Sequence, residues 1–243
     1  MVLGTRLSPI ASVPRVVLCE RCPIRRHGVC DQVDPHDFER MASDGPRVRN
    51  LAAGSVLFGE GDAFDRVFTL QAGWALTSKL FEDGHRQIIR FVLPGDLIGF
   101  EGSEATGMAY GAEAITAVRL CGMEHSMFFK ECSCSPRFAM NYAEAVTREA
   151  MLAWNHVGAL GQQSARGRVA NLLVELHQRV RAIEGGDDPA VWLPINQTHI
   201  ADATGMTPVH VCRTLKRMRQ EGLLEFSKGR LVLIDPGRLA AVA

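Results

Sequence analysis

Several features that would assign this chain at once are missing from it. No unbroken apolar run approaches the ~18 residues of a membrane span, so a membrane protein is not expected. The opening stretch, MVLGTRLSPIASVPRVVLCE, has one early arginine and no long apolar core, which makes it a poor signal peptide and leaves the cytoplasm as the expected location. Net charge is absent as well: 27 Lys and Arg stand against 27 Asp and Glu, and that balance alone gives no reason to expect nucleic acid. His and Glu do not cluster in the strand-like segments, His85 being isolated on a turn and His125 following a strand, so the pattern of a cupin-like oxygenase is missing and no enzyme is expected.

What is present points to a globular chain of two modest domains, with 243 residues, 47% of them hydrophobic and 22% charged. Seven cysteines, an odd number without a secretory signal, argue for thiol or metal chemistry over a disulfide framework. Pro9 and Pro14 mark a first segment with little periodicity. From Leu51 onward, short apolar runs are punctuated by Gly54, Gly61, Gly73, Gly84 and Gly95, a rhythm that suits an antiparallel sandwich or roll.

After Pro136 the pattern becomes helical. Ala139, Ala143, Val146, Ala150, Ala153, Val157 and Leu160 recur at alternating steps of four and three, a heptad seam on a helix about 35–40 Å long. Sustained a/d spacing is narrower than an ordinary core face, so the expected use is pairing with a second copy, a homodimer. The small alanines allow close approach, and each buries little area.

The segment NQTHIADATGMTPVHVCRTLKRMRQEGLL has the grammar of a helix-turn-helix. Asn196 can cap a first helix, Gly205 supplies the turn, Thr207 caps the second helix and Pro208 sits where its missing N–H costs nothing. Val211, Leu215 and Met218 form an apolar face; Val209, Cys212, Arg213 and Arg217 lie opposite. Arg213, Lys216, Arg217 and Arg219 make a local cationic stripe without an acid. Arg213 is the expected bidentate partner of a guanine and Val209 can meet a thymine methyl, while Thr198, His199, Thr207, His210 and Arg217 are expected near phosphates. A hairpin, LLEFSKGRLVLID, turning near Lys228 and Gly229, would be a wing.

Cys19, Cys22 and Cys30 form a C-x2-C-x7-C arm, and Cys121 stands far along the chain in VRLCGMEH. Four thiolates suit an iron–sulfur cluster and zinc equally, and spacing does not separate the two. Cys132 and Cys134 lie in ECSCSPRF, read as a turn, and lack further partners. Cys212 is expected to pack or touch DNA.

Taken in order, the glycine-punctuated roll, the heptad helix and the winged motif resemble the CRP/FNR superfamily of bacterial transcription regulators. LPGDLIGF at 93–100 and ARGRVANLLVEL at 165–176 carry the likeness beyond the general plan. The resemblance implies an α+β fold: an antiparallel β-roll of jelly-roll, cyclic-nucleotide-binding-like type, a long dimerisation helix and a C-terminal winged helix-turn-helix. Its expected boundaries are 1–50 for the cysteine arm with short helices, 51–135 for the sensor roll, 136–163 for the helix and 164–243 for the DNA-binding domain. One branch of that superfamily holds a cyclic nucleotide phosphate with an arginine; the matching stretch here, Gly95 to Val118, has no Lys or Arg, so no cyclic nucleotide is expected.

The FNR branch resembles the chain at both cysteine positions. It implies an oxygen-labile [4Fe-4S] cluster on Cys19, Cys22, Cys30 and Cys121, control of dimerisation by that cluster, an inverted-repeat operator on double-stranded DNA, and contact with RNA polymerase. The alternative is a regulator of the same architecture with zinc or no metal, answering nitric oxide, haem or a small molecule. FNR-type recognition helices carry a glutamate near their start where this chain has Pro208 and Val209. Without that acceptor for cytosine N4, a different operator is expected.

Overall fold

A computed structural model describes residues 22–44, 47–102 and 107–242. Cys19 lies outside them. A turn-rich arm from Cys22 leads into α1 (Pro35–Asp44) and then into eight strands: β1 (Arg47–Leu51), β2 (Val56–Phe58), β3 (Arg66–Ala72), β4 (Ala75–Leu80), β5 (Arg86–Val92), β6 (Leu97–Ile98), β7 (Gly111–Ala114) and β8 (Val118–Glu124). They form two four-stranded sheets, β1-β8-β3-β6 and β2-β7-β4-β5, and every pairing described is antiparallel. The expected start of the roll at residue 51 falls inside β1, whose Arg47–Leu51 register on β8 begins the sheet four residues earlier.

Alternation along β8 explains how the roll is used. Val118 and Leu120 point inward with Phe68, Leu70 and Ala114 to form the core between the sheets. Cys121 and Met123 therefore point out of the same sheet, on the side covered by the arm. That outer face is not exposed to water, because Val29, Val33, Met41, Val67, Phe128 and Phe138 close over it as a second apolar cluster.

Two helices follow without a loop between them, α2 (His125–Cys134) and α3 (Pro136–Gln162). ECSC, read above as part of a turn, is the end of α2; the break is Ser135 alone, which caps α3 through its hydroxyl at 3.5 Å from the Phe138 N–H, with Pro136 in the first turn. Phe138, Asn141, Ala145 and Ala159 face inward, whereas Met140, Val146, Met151, Trp154 and Val157 are exposed.

The C-terminal domain comprises α4 (Ala165–Glu184), β9 (Ala190–Trp192), α5 (Gln197–Thr204), α6 (Pro208–Gln220), β10 (Leu224–Ser227), β11 (Arg230–Leu233) and α7 (Pro236–Ala240). The β10–β11 hairpin turns at Lys228 and Gly229, both with positive φ (50° and 81°), the backbone a tight right-twisted hairpin needs. A third strand, β9, joins it on the β11 edge. The domain rests on the outer face of the second roll sheet: Leu76, Ile88, Phe91 and Leu93 share one apolar cluster with Leu173, Ile200 and Val211. Arg86 of the roll pairs with Asp202 of α5 at 2.8 Å, and Arg179 of α4 pairs with Asp96 at 2.5 Å. Among the described residues no helix is long and apolar enough to cross a membrane.

Candidate functional sites: a thiol-lined cavity and a recognition helix

The arm is laid on the roll by small contacts that depend on glycine. Gly95 (φ 100°) lies against it so closely that a Cβ there would come within 2.4 Å of the His27 carbonyl. Short turns, His27 N–H to Ile24 O at 2.9 Å and Asp31 N–H to Gly28 O at 3.0 Å, wind residues 22–33 into a compact pad. Ile24, Val29 and Val33 are buried beneath it.

Between pad and sheet lies a cavity of about 40 Å³. Cys22 and Cys30 line it from the arm and Cys121 lines it from β8, with Arg25 and Gln71 among the polar residues and Val48, Val67, Met123, Phe128 and Phe138 among the apolar ones. Cys121 pairs with Val48 of β1 and Thr69 of β3, at the centre of the sheet's outer face. Three of the four cysteines singled out in the sequence thus meet one cavity. Among the described residues no three Cys, His, Asp or Glu side chains are gathered closely enough to hold a metal ion. The donor chemistry fits a soft metal or an iron–sulfur group: thiols of two distant segments open on one apolar space, and a buried amide, Gln71 Nε2, donates to Cys22 Sγ at 3.4 Å.

The arm is also fastened to the long helix. Asn141 of α3 donates through Nδ2 to Val29 O at 3.0 Å and to Asp31 O at 2.7 Å, so it grips the carbonyls on either side of Cys30. Arg40 of α1 reaches the buried Glu131 carboxylate of α2 at 2.8 Å. Cys132, in α2, packs in the same apolar cluster as Cys30, and burial raises its thiol pKa above the ordinary value. Cys134 is exposed.

At the other end of the molecule, α5 and α6 build the second site. Asn196 accepts from the His199 N–H at 2.9 Å, and His199 Nδ1 accepts from the Asn196 N–H at 3.3 Å, a reciprocal cap. Gly205 takes the left-handed conformation (φ 63°, ψ 40°) at the turn, and Thr207 Oγ1 accepts from the His210 N–H at 3.3 Å. Val211, Leu215 and Met218 are buried, leaving Pro208, Val209, Cys212, Arg213 and Arg217 on the open face. Val209 at 61% exposure is an apolar side chain held out from a helix start, where a base methyl can meet it.

Thr198, Thr207 and His210 are exposed. The His199 ring is engaged in the cap and lies half-buried near Arg86 and Asp202 at the junction with the roll, and burial followed by the Arg86 charge lowers its pKa. Arg217 is tied to Glu221 at 3.0 Å, which also holds Arg166 at 2.6 Å. In the heptad seam, Ala143, Val146, Ala153 and Val157 are exposed, and Ala139 and Ala150 half-buried. Leu160 is half-buried too, 3.7 Å from where a Gly205 Cβ would stand. Its contact is therefore with the DNA-binding domain.

A roll carrying a thiol-lined cavity, a long helix with an exposed apolar stripe and a winged helix-turn-helix together define a DNA-binding transcription regulator. Known proteins agree. Residues 167–242 match the Crp-like helix-turn-helix domain and residues 48–133 the cyclic nucleotide-binding domain. The nitrogen fixation regulation protein FixK of Bradyrhizobium diazoefficiens is 32% identical over 95% of both chains. The transcriptional activator protein FnrL of Cereibacter sphaeroides is 26% identical over 89% of this chain and 87% of its own. Among solved structures, FixK2 from Bradyrhizobium japonicum superposes with a TM-score of 0.73 at 27% identity, covering 81% of this chain and 96% of that one. This chain belongs to the CRP/FNR family of transcription regulators, which are not enzymes.

Proposed function

We propose that this regulator senses oxygen through a [4Fe-4S] cluster held by Cys19, Cys22, Cys30 and Cys121, and that it activates transcription in the cytoplasm as a homodimer on an inverted-repeat operator. The observation that carries the reading is the convergence of Cys22, Cys30 and Cys121 on one cavity. When bound, such a group supplies oxygen-labile cross-links between the arm and the roll. The chain's own residues do the rest. Arg25 brings positive charge to the cavity rim, and Asn141 ties the Cys30 segment to α3.

The exposed stripe of α3, centred on Trp154 at 71% and Val157 at 68% exposure, is the face for a second copy. Pairing there would set two copies of α6 toward adjacent major grooves, reading half-sites about one helical turn apart. Within the roll, Arg90 is committed to Glu149 and to the Leu97 carbonyl, and Tyr110 fills the interior, so a cyclic nucleotide is not proposed as the ligand. RNA polymerase is the proposed further partner, through the exposed turn at Phe81, Glu82 and Asp83.

Anaerobic purification tests the reading. The full chain should be brown, with iron and sulfide in matching amounts, and should bleach in air; Cys→Ser at each of the four positions should lower the iron content. A colourless protein, or one carrying stoichiometric zinc, would refute it.

A further inference from the structure

Gln71 is 4% exposed, yet it is a primary amide on the outer face of a sheet whose other residues there are mostly apolar. Its place in β3 is irregular. Leu70 pairs with Leu120 and Ala72 with Arg119, so Gln71 is the extra residue of a β-bulge. Bulges concentrate beside functional sites. Alternation with Val67 and Thr69 sets Gln71 on the outer face of the sheet, and it lines the thiol-lined cavity beside Thr69, Cys121 and Cys22.

Burying an amide is costly unless both ends are bonded. Nε2 donates to Cys22 Sγ at 3.4 Å, while Oε1 finds no partner among the described residues. An apolar side chain would fill the same space without that orphaned oxygen, so packing alone does not explain a glutamine. A donor aimed at sulfur does. A thiolate in a cavity walled by Val29, Val67, Met123 and Phe138 has little water to solvate it, and a fixed N–H offsets part of its charge.

Resting on the cluster assignment above, we propose that Gln71 is a positioning residue that holds Cys22 in ligating orientation by donating to its sulfur, and thereby sets how slowly the site gives up its iron. N–H bonds to ligand sulfur tune both the lability and the reduction potential of iron–sulfur sites. The test uses the full chain, reconstituted anaerobically as wild type, Gln71→Leu and Gln71→Glu. Gln71→Leu keeps bulk and removes the donor; Gln71→Glu keeps the shape and replaces the donor with acceptors.

Iron release to a chelator without oxygen should be about tenfold faster in either variant, the usual scale for losing one hydrogen bond to a charged group. The midpoint potential should fall, a change that loosened packing alone would not produce. Wild-type release rates and potentials in both variants would overturn the assignment to Gln71 while leaving the cluster intact. If Gln71→Leu does not fold, Gln71→Glu decides by the same two readings. Wild-type protein that takes up no iron and sulfide would instead overturn the cluster reading itself, and this inference with it.

Discussion

Replacing Asn141 by alanine should undock the arm without unfolding the roll. One amide nitrogen, on a residue 6% exposed, serves both Val29 O at 3.0 Å and Asp31 O at 2.7 Å. Each such bond contributes about 1 kcal/mol net, and a buried carbonyl left without a donor costs about 1–3 kcal/mol. Only the Val29 bond is fully buried, so about 2 kcal/mol is the expected loss, roughly thirtyfold in the docked-to-undocked ratio. The arm adds few buried side chains of its own, chiefly Ile24, Val29 and Val33, so the loss should appear as local opening. Hydrogen exchange reads it directly: the His27 and Asp31 amides, bonded to Ile24 O and Gly28 O, should exchange about thirtyfold faster, while amides in β3 and β8 stay protected. Unchanged exchange in the arm would refute the claim that Asn141 fastens it. A uniform rise across the roll would make Asn141 a general core residue instead.

Three further outcomes follow from the geometry. Arg213→Ala should lose discrimination at one base pair of the operator while non-specific binding persists; competition assays over single-base operator variants would sink the assignment if the preference stayed the same. Val157→Asp, on the exposed stripe of α3, should turn a dimer into a monomer in sedimentation with little change in melting temperature, since the side chain is 68% exposed in the isolated chain. His199 has its pKa lowered by burial and by Arg86, so the unfolded state binds a proton that the folded state resists. Stability should therefore be full above the ordinary histidine pKa of about 6.5 and fall as pH drops through the lowered folded value; His199→Gln should flatten that limb of a urea-denaturation pH series.

Local signals in the sequence were read from short-range chemistry, and those elements match the structure. Asn196, Gly205, Thr207 and Pro208 specify the two helix starts and the turn between them because capping depends on neighbours one turn away. Lys228 and Gly229 specify the hairpin for the same reason. Residues whose role depends on distant chain were not legible. Asn141 looks like any polar residue on a helix, and its partners stand 112 and 110 positions away. Gln71 looks like a strand residue with its polar end in solvent; the arm residue it meets, Cys22, stands 49 positions earlier in the chain. β9 is only three residues long and follows an acidic loop, too short for a period to register. Helix-turn-helix grammar makes His199 a phosphate-facing residue; the half-burial of its ring beside the roll depends on chain more than a hundred positions away, at Arg86.

The fastenings of α3 decide how a change at the arm could reach DNA. Its N-terminal part is held to the arm through Asn141 and to α2 through the cluster around Phe128 and Phe138. Its middle, from Met151 to Val157, is held by little on its outer side, and its end approaches the turn of the helix-turn-helix, where Leu160 lies near Gly205. A helix of 27 residues is about 40 Å of stiff rod, so displacement at Asn141 cannot be absorbed locally and must alter how the middle presents its stripe. The second junction works against a free response, because Arg86–Asp202 and Arg179–Asp96 hold the DNA-binding domain to the other roll sheet. Those pairs set the stiffness of the second route. Removing Arg86 should therefore make operator binding less dependent on the arm: a double variant, Arg86→Ala with Asn141→Ala, should lose less operator affinity relative to Arg86→Ala alone than Asn141→Ala loses relative to wild type. Strict additivity of the two losses would mean that the arm and the interdomain pairs act on α6 separately.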